Sequence, residues 1–313
     1  MTGLRLLGHI DLPAHAAGGG FDHGAVHRAS SRLYVAHTSN DDVDVVDSSS
    51  DRFLRSIHGL KGVAGVLVSD ERDFLFTANR GENTVSIFAI DQEKEIVRLP
   101  VGIRPNGLAF DPSRGLLLVA NVGDPDVANS STVSIVDIGQ EEVTETVVLA
   151  GRPRWAVFDN RTAAFYLNIA DPPLIVRIDA ANPSSIRKRY PMPAKGPHGL
   201  DLDPSGRHLF CACDEGKLVS LHLDSGEIRL IGELSGPPDV VFFNPGLSHV
   251  YVAVGTPGVI DVFDASRAKL LETVPTEKGA HTLAIDQQKN KVYAFLPSTH
   301  RAAVYRDERP REV

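Results

Sequence analysis

Three histidines and one aspartate occupy equivalent places in a phrase that this sequence repeats, and side chains of these types can bind a metal ion. The phrases are "FDHGAVHRASSRLYVAH" (21–37), "GPHGLDLDPSGRHLFCAC" (196–213), "PPDVVFFNPGLSHVYVAV" (237–254) and "GAHTLAIDQQKNKVYAFL" (279–296). Imidazole nitrogen and carboxylate oxygen are ligands that Zn²⁺, Mn²⁺ and Fe²⁺ accept in proteins. The candidate ligands of such a divalent metal are His23, His198, Asp239 and His281, provided that the fold brings them together.

The same phrase organises the whole chain. The other copies are "RPNGLAFDPSRGLLLVAN" (104–121), "RPRWAVFDNRTAAFYLN" (152–168) and "GVAGVLVSDERDFLFTAN" (62–79), which makes seven; the copies at 21–37 and 62–79 are weaker than the rest. Their aligned positions are His23, Ala64, Asn106, Arg154, His198, Asp239 and His281, at intervals of 41, 42, 48, 44, 41 and 42 residues. Period-2 alternation and Gly, Pro and Asp turns fit four short strands per repeat. The sequence predicts an all-β, seven-bladed β-propeller with four antiparallel strands per blade.

The two chain ends are predicted to complete one blade. The seventh copy ends after its third strand, "AAVYRD" (302–307), whereas "LRLLGHIDLP" (4–13) precedes the first copy and resembles a fourth strand. Pairing the two segments would close the ring and remove both open sheet edges. We therefore expect a single propeller domain over residues 1–313.

The first strand of each propeller blade lines the central channel, so the seven aligned residues should form a ring at one channel mouth. His198, Asp239, His281 and His23 are then contiguous, with Arg154 beside His198. Asp239 would be the fourth metal ligand or a general base, and Arg154 would be catalytic and bind an anionic group of the substrate. Asn106 would also orient the substrate. The alternative is a hydrogen-bonded polar plug in the channel.

A second, outer set of polar residues is expected at the ends of the second strands. Its members are His37, Asn79, Asn121, Asn168 and Cys213. His37 and Asn121 are the candidates for substrate contact, although an asparagine at a strand end also serves as a turn residue that bonds its own backbone. The long loop of "NVGDPDVANSS" (121–131) should overhang the same mouth as a lid.

Composition excludes several partners. The 313 residues carry a formal net charge of −8 and a pI of about 5.8, so no basic field attracts nucleic acid or an anionic membrane. The sequence contains no apolar run of 18 residues, and its N-terminus lacks a signal-peptide h-region, which favours a cytoplasmic protein. Cys211 and Cys213 are expected to be reduced core thiols. The expected assembly is a monomer or a dimer.

The phrase "RPNGLAFDPSRGLLLVAN" resembles the YVTN-type repeat of seven-bladed propellers, the family of YncE-like proteins. The resemblance covers nearly the whole chain and implies the fold. More distantly, the chain is similar to gluconolactonase-type lactonases and streptogramin-lyase-type propellers, which place a divalent metal near the channel mouth. That similarity implies a metal site, although the histidine-rich arc departs from the Glu/Asn/Asp ligands of the lactonases.

These observations give two hypotheses for function. The first is a metal-dependent lyase or hydrolase that acts on a small anionic or carbonyl-containing molecule at the channel mouth. The second is a non-catalytic propeller that binds a protein or a small ligand through its loops. Redox or copper chemistry through histidine and Cys213 is a weaker third possibility.

The metal hypothesis predicts that protein purified without added metal carries a stoichiometric divalent ion. A His198→Ala/His281→Ala double variant should lose that ion, because two of its nitrogen ligands are removed. Elemental analysis of both proteins tests this. A wild-type protein that is metal-free and takes up no added Zn²⁺, Mn²⁺ or Fe²⁺ would contradict it.

Overall fold

The computed structural model describes residues 3–92 and 94–309, and these form seven four-stranded antiparallel sheets around a central channel. The predicted seven-bladed propeller is therefore confirmed. The strands of blades 1 to 3 are β2 (Gly24–His27), β3 (Arg32–His37), β4 (Asp42–Asp47) and β5 (Arg52–Ile57); β6 (Val63–Ser69), β7 (Phe74–Asn79), β8 (Thr84–Ala89) and β9 (Lys94–Pro100); β10 (Pro105–Asp111), β11 (Leu116–Asn121), β12 (Thr132–Asp137) and β13 (Glu142–Val148).

Blades 4 to 7 repeat the same order from the channel outwards. Their strands are β14 (Pro153–Asp159), β15 (Ala164–Ile169), β16 (Leu174–Asp179) and β17 (Lys188–Pro191); β18 (Pro197–Asp203), β19 (His208–Cys213), β20 (Lys217–His222) and β21 (Ile228–Glu233); β22 (Val241–Asn244), β23 (His249–Val254), β24 (Val259–Asp264) and β25 (Lys269–Pro275); β26 (Thr282–Asp286), β27 (Lys291–Leu296) and β28 (Arg301–Asp307).

Blade 7 is completed by the N-terminal strand, as the sequence predicted. Strand β1 (Leu4–Asp11) pairs antiparallel with β28, in a register that runs from Leu4 opposite Asp307 to Asp11 opposite Arg301. The pairing joins segments from opposite ends of the sequence and leaves no open blade edge between blades 7 and 1. The predicted domain limits, residues 1 and 313, lie outside the described residues.

Two local features differ from the expected pattern. Three of the seven aligned residues, His23, Asp239 and His281, lie just before their first strands rather than at the start of them. A short 3₁₀ helix, Thr38–Asn40, follows β3. Neither changes the order of the aligned residues around the channel.

The blades are held together by apolar faces packed on each other. The second and third strands of each blade are buried on both faces, and for that reason they read as apolar runs rather than as alternating patterns. The third residue of the second strand is a fully buried tyrosine in four blades: Tyr34, Tyr166, Tyr251 and Tyr293. The fourth strands, at the rim, are partly exposed and alternate, as in β13.

Close approach of neighbouring first strands explains a glycine in the repeat. Gly65, Gly107 and Gly199 each follow an aligned residue. A β-carbon at these positions would overlap the carbonyl oxygen of the aligned residue in the next blade. Because only hydrogen fits there, the glycines allow seven backbones to converge on the channel.

We expect Gly65→Ala to destabilise the fold by about 1–3 kcal/mol, because the added methyl group overlaps the Asn106 carbonyl oxygen and forces the two blades apart. Thermal and urea unfolding measure the effect. Gly8→Ala in β1 is the matched control, since nothing lies within 4 Å of the β-carbon position there. Equal stability of the two variants would contradict this explanation of the blade spacing.

Candidate functional site at the channel mouth

His198 is the most connected side chain of the mouth. Its Nδ1 lies 2.8 Å from Asp214 Oδ1, and its Nε2 lies 3.0 Å from Asp239 Oδ1. The guanidinium of Arg154 also reaches it, with Nη1 2.8 Å from the same Nε2. Arg154 Nη2 is 3.5 Å from Asp214 Oδ2. The sequence prediction that Arg154, His198 and Asp239 are neighbours is matched by these contacts.

The remaining histidines of the predicted arc approach the cluster in different ways. His281 Nε2 is 3.8 Å from Asp239 Oδ2, and His281 Nδ1 lies 2.7 Å from the carbonyl oxygen of Gly279. One third of the His281 side chain is exposed. His23 is almost fully buried, and its ring packs on the indole of Trp155 with 4.0 Å between centroids. His281 is therefore accessible to a ligand, whereas His23 is mainly a packing residue.

Charge at the mouth is set by burial and by the two carboxylates. Burial acts to lower the pKa of His198, but Asp239 and Asp214 outweigh it and raise that pKa to about 9. Burial acts to raise the pKa of Asp239, yet His198, His281 and His23 hold it well below its usual range. The His198 imidazolium and the Asp239 carboxylate therefore form an ion pair at neutral pH.

The Arg154 contact places a second cation against that imidazolium. A neutral His198 would accept a hydrogen bond from Arg154 Nη1. Because two carboxylates favour the protonated imidazole and only one guanidinium disfavours it, we assign the charged form. Both ring N–H groups of His198 then donate to carboxylates, and Arg154 is held beside a like charge. Its Nε is buried and has no hydrogen-bond partner among the described residues.

Two hydrogen bonds from a side chain of the neighbouring blade fix the backbone of His198. The Nδ2 of Asn168, at the end of β15, donates to the carbonyl oxygens of His198 (2.9 Å) and Gly199 (3.1 Å). Asn168 is fully buried, and its Oδ1 lies 3.6 Å from Cys211 Sγ. The asparagine at this strand end therefore joins blades 4 and 5 rather than binding its own backbone.

Trp155 closes the channel beneath the ring. It occupies the position that is glycine in several other blades, and its indole contacts both His23 and Phe242, the latter at 6.0 Å between centroids. Below it, a cavity of about 240 Å³ is lined mainly by apolar side chains such as Leu108 and Leu200. The polar mouth is thus separated from an apolar lower channel.

The arrangement does not fit the predicted metal site. Arg154 Nη1 lies 2.8 Å from His198 Nε2, and Asp214 and Asp239 already pair with the two ring nitrogens of His198. Within residues 3–92 and 94–309, no group of three or more His, Cys, Asp or Glu side chains is placed to hold a metal ion. Metal binding stays a prediction, and this geometry favours the metal-free outcome of the elemental analysis described above.

The predicted substrate-binding residues have different surroundings. Asn106 lies in the ring, is nine-tenths buried, and its Oδ1 has no partner among the described residues. Asn121 is fully buried and donates to Thr132 Oγ1 and Ser134 Oγ within its own blade. His37 is fully buried, with Nδ1 2.7 Å from Asp44 Oδ2. Substrate contact by His37 or Asn121 has no support from these positions.

Four charged residues that the sequence analysis did not select belong to the mouth: Arg80, Arg104, Arg152 and Asp214. Arg80 and Asp214 directly follow the second strands β7 and β19, one residue beyond the predicted outer set. Arg80 Nη2 is 3.4 Å from Asp22 Oδ2. The signal for the arginines was the pair of Arg-Pro dipeptides that precede β10 and β14. Cys211 and Cys213, in contrast, are free buried thiols as expected.

Comparison with known proteins supports the family resemblance. A family model described as "Lactonase, 7-bladed beta-propeller" matches residues 11–158, just under half of the chain. Two curated relatives are "Uncharacterized protein YncE" of Salmonella typhimurium (strain LT2), 23% identical over 198 residues, and that of Salmonella typhi, 22% identical over 198 residues. Each match covers 62% of this chain and 54% of the relative. The resemblance to YncE-like, lactonase-type propellers is thus confirmed.

A solved structure agrees at the level of the fold. A chain of Kuenenia stuttgartiensis hydrazine synthase superposes with a TM-score of 0.80 over 95% of this chain and 96% of that chain, at 16% identity. That likeness concerns the propeller alone. Separately, no helix in the described part of the chain is long and apolar enough to cross a membrane.

The ion pairs of His198 predict a pH-dependent contribution to stability. Its folded-state pKa of about 9 exceeds the ordinary value of 6.5, so the stabilisation is fully present below about pH 6.5 and is lost as the pH rises through 9. An NMR titration of the imidazole should give a pKa near 9 in the wild type. Asp239→Asn should lower that pKa, because it removes the facing carboxylate.

Asp126→Asn, on the loop between β11 and β12, is the matched control and should leave the His198 titration unchanged. Urea unfolding of wild type and His198→Gln should converge between pH 7 and pH 10. A His198 titration near pH 6.5 in the wild type would contradict the charge assignment.

Proposed function

We propose that the protein is a hydrolase that cleaves a small anionic ester or lactone at the channel mouth. The observation that carries the proposal is an accessible histidine with a fixed tautomer, His281. Its Nε2 lies 3.8 Å from Asp239, the carboxylate that also pairs with the His198 imidazolium beside Arg154. Hydrolysis of an ester needs a base for the attacking water and positive groups for the oxyanion that forms. Both are within the mouth cluster.

His281 has the geometry of a general base. The Gly279 carbonyl accepts from Nδ1, at 2.7 Å, so Nδ1 carries a proton and the neutral ring has its lone pair on Nε2. The side chain is 33% exposed, which gives water access to it. Asp239, whose Oδ2 is 3.8 Å from that Nε2, would stabilise the imidazolium formed when the base takes a proton.

Arg154 and His198 supply positive charge for the substrate. The guanidinium can hold a carboxylate or the carbonyl oxygen that becomes negative in the transition state. Asp214 and Asp239 fix the His198 ring from both sides, so this charge is positioned before the substrate arrives. Asn106 contributes a buried amide beside the same opening.

The step balances without a further reactant. Water oxygen bonds to the carbonyl carbon while His281 Nε2 removes a water proton. The C–O bond of the ester or lactone then breaks, and the leaving alkoxide takes the proton from His281. The products are an alcohol and a carboxylic acid, and the acid releases its remaining proton to solvent to become a carboxylate. Each transfer in this step uses only the substrate, water and His281.

The family comparison favours hydrolysis over the lyase reaction, because the matching family model is described as a lactonase. The match ends at residue 158, however, so it includes Arg154 but not His198, Asp239 or His281. Roles for those three depend on their geometry in this chain. Binding without turnover, as in a non-catalytic ligand-binding propeller, is the competing function.

His281→Gln should lower kcat for carboxylate-bearing esters and lactones by about 100- to 10,000-fold, because it removes the base while keeping the side-chain size. Arg154→Gln should mainly raise KM for anionic substrates and have less effect on uncharged ones. A panel of small esters and lactones, with and without a carboxylate, measured by proton release, provides the rates.

His222→Gln is the matched control, because His222 ends β20 at the opposite face of the propeller. It should retain wild-type rates. Turnover that is unaffected by His281→Gln would contradict the assignment of the base. A wild-type protein that binds anions at the mouth but hydrolyses none of the panel would favour the ligand-binding function.

A further inference from the structure

A cavity beside the channel mouth contains two solvent-exposed arginines. Its volume is about 480 Å³, within the range of small-ligand sites, and it lies between blades 3 and 4 beneath the loop that joins β11 to β12. Arg104 and Arg152 line it. Neither side chain has an ion-pair partner among the described residues.

The like charges of three guanidiniums act on a fourth, that of Arg152. Burial, and then the charges of Arg154, Arg104 and Arg80, lower the pKa of Arg152 from its ordinary value. Opposing carboxylates are few: Asp22 lies near Arg80, and Asp214 near Arg154. Asp124 also lines the cavity, and its Oδ1 accepts the amide of Asp126 within the loop. Four arginines of a chain whose net charge is −8 are thus grouped on this side of the mouth.

The backbone of Arg104 is strained in a way that a glycine would relieve. Its φ is +55°, in the left-handed region. The equivalent position, two residues before the aligned mouth residue, is a glycine with positive φ in three other blades: Gly62 (+59°), Gly196 (+64°) and Gly279 (+90°). An arginine therefore stands where the backbone favours glycine, and its side chain faces the cavity.

The loop above the cavity is braced against Arg104 rather than free. Val122 and Gly123 donate their amides to the carbonyl oxygens of Arg104 (3.0 Å) and Ile103 (2.9 Å). Ser130 Oγ accepts from the amide of Asp124 and donates to its carbonyl, both at 2.8 Å. The cavity wall is thus preformed around the two arginines, which lowers the ordering cost of binding.

We propose that Arg104 and Arg152 form a second anion-binding subsite, so that the mouth and the side cavity together take a ligand with two anionic groups. That the ligand is a substrate rests on the proposed function. The subsite itself rests on the cavity and its two arginines. Guanidiniums clasp carboxylate and phosphate in the same bidentate way. The shared chemistry is a carboxylate or phosphate group placed in the cavity, with the other anionic group on Arg154.

Calorimetric titrations of the full chain at constant ionic strength test the subsite, with acetate, succinate, glutarate, adipate and inorganic phosphate as probes. The best dicarboxylate should bind the wild type at least tenfold more tightly than acetate. Arg104→Gly/Arg152→Gln should remove that advantage, and Arg187→Gln/Arg189→Gln, with the same change in net charge away from the cavity, should retain it. If phosphate binding is lost in the Arg104/Arg152 variant but kept in Arg154→Gln, the cavity holds a phosphate group. If dicarboxylate binding is weakened by changes at Arg104, Arg152 and Arg154 alike, the cavity holds a carboxylate.

The single variant Arg104→Gly separates binding from folding. It should unfold at the same or a higher temperature than the wild type, because the left-handed backbone is relieved, while it loses the preference for dianions. Equal dianion affinity in wild type and the cavity double variant would overturn the subsite, as would no anion binding at all. If the esters are not hydrolysed but dianion binding depends on the cavity arginines, the hydrolase proposal fails and the subsite stands. If the esters are hydrolysed but dianion binding does not depend on the cavity arginines, the subsite fails and the hydrolase proposal stands.

Discussion

The convergence of seven first strands on one channel is the constraint on which the rest of this structure depends. Neighbouring blades approach so closely that Gly65, Gly107 and Gly199 have no room for a β-carbon. Each of those glycines follows an aligned residue and packs against the carbonyl oxygen of the aligned residue in the next blade. The contact that sets the blade spacing therefore also positions the backbone of that next aligned residue.

Charge is the second level of organisation. His198 is bracketed by Asp214 and Asp239, and the resulting ion pairs hold it protonated despite its burial. Arg154 is held beside that cation, next to three further arginines. Like charges at short range raise the free energy of the protein without a ligand, and an anion lowers it. On this ground we propose that the mouth of an acidic protein binds an acidic small molecule.

Much of the fold could be predicted from the sequence, because the repeat encodes it in turns and strand periodicity. The seven aligned residues, the four strands per blade and the closure by β1 each follow from that pattern. The grouping of Arg154, His198 and Asp239 followed as well, because chain order is angular order in a propeller.

What those residues do to each other could not be predicted in the same way. The length and rotamer of each side chain decide whether an imidazole nitrogen faces a metal or a guanidinium. The contact between Arg154 and His198 depends on their rotamers, which the spacing of the repeats does not determine. The roles of Arg80 and Asp214 depend on the chain turning back over the mouth one residue after a strand ends. The burial of Asn121 and His37 depends on packing between blades rather than on position in the repeat.

The central claim is that the channel mouth binds and cleaves an anionic carbonyl compound, and an NMR map with a non-hydrolysable phosphonate analogue of an ester tests it most directly. The account predicts that the analogue shifts the side-chain resonances of His281, His198 and Arg154 and leaves those of His222 on the opposite face unchanged. Shifts confined to the opposite face or the outer strands, with the mouth resonances unmoved, would contradict it.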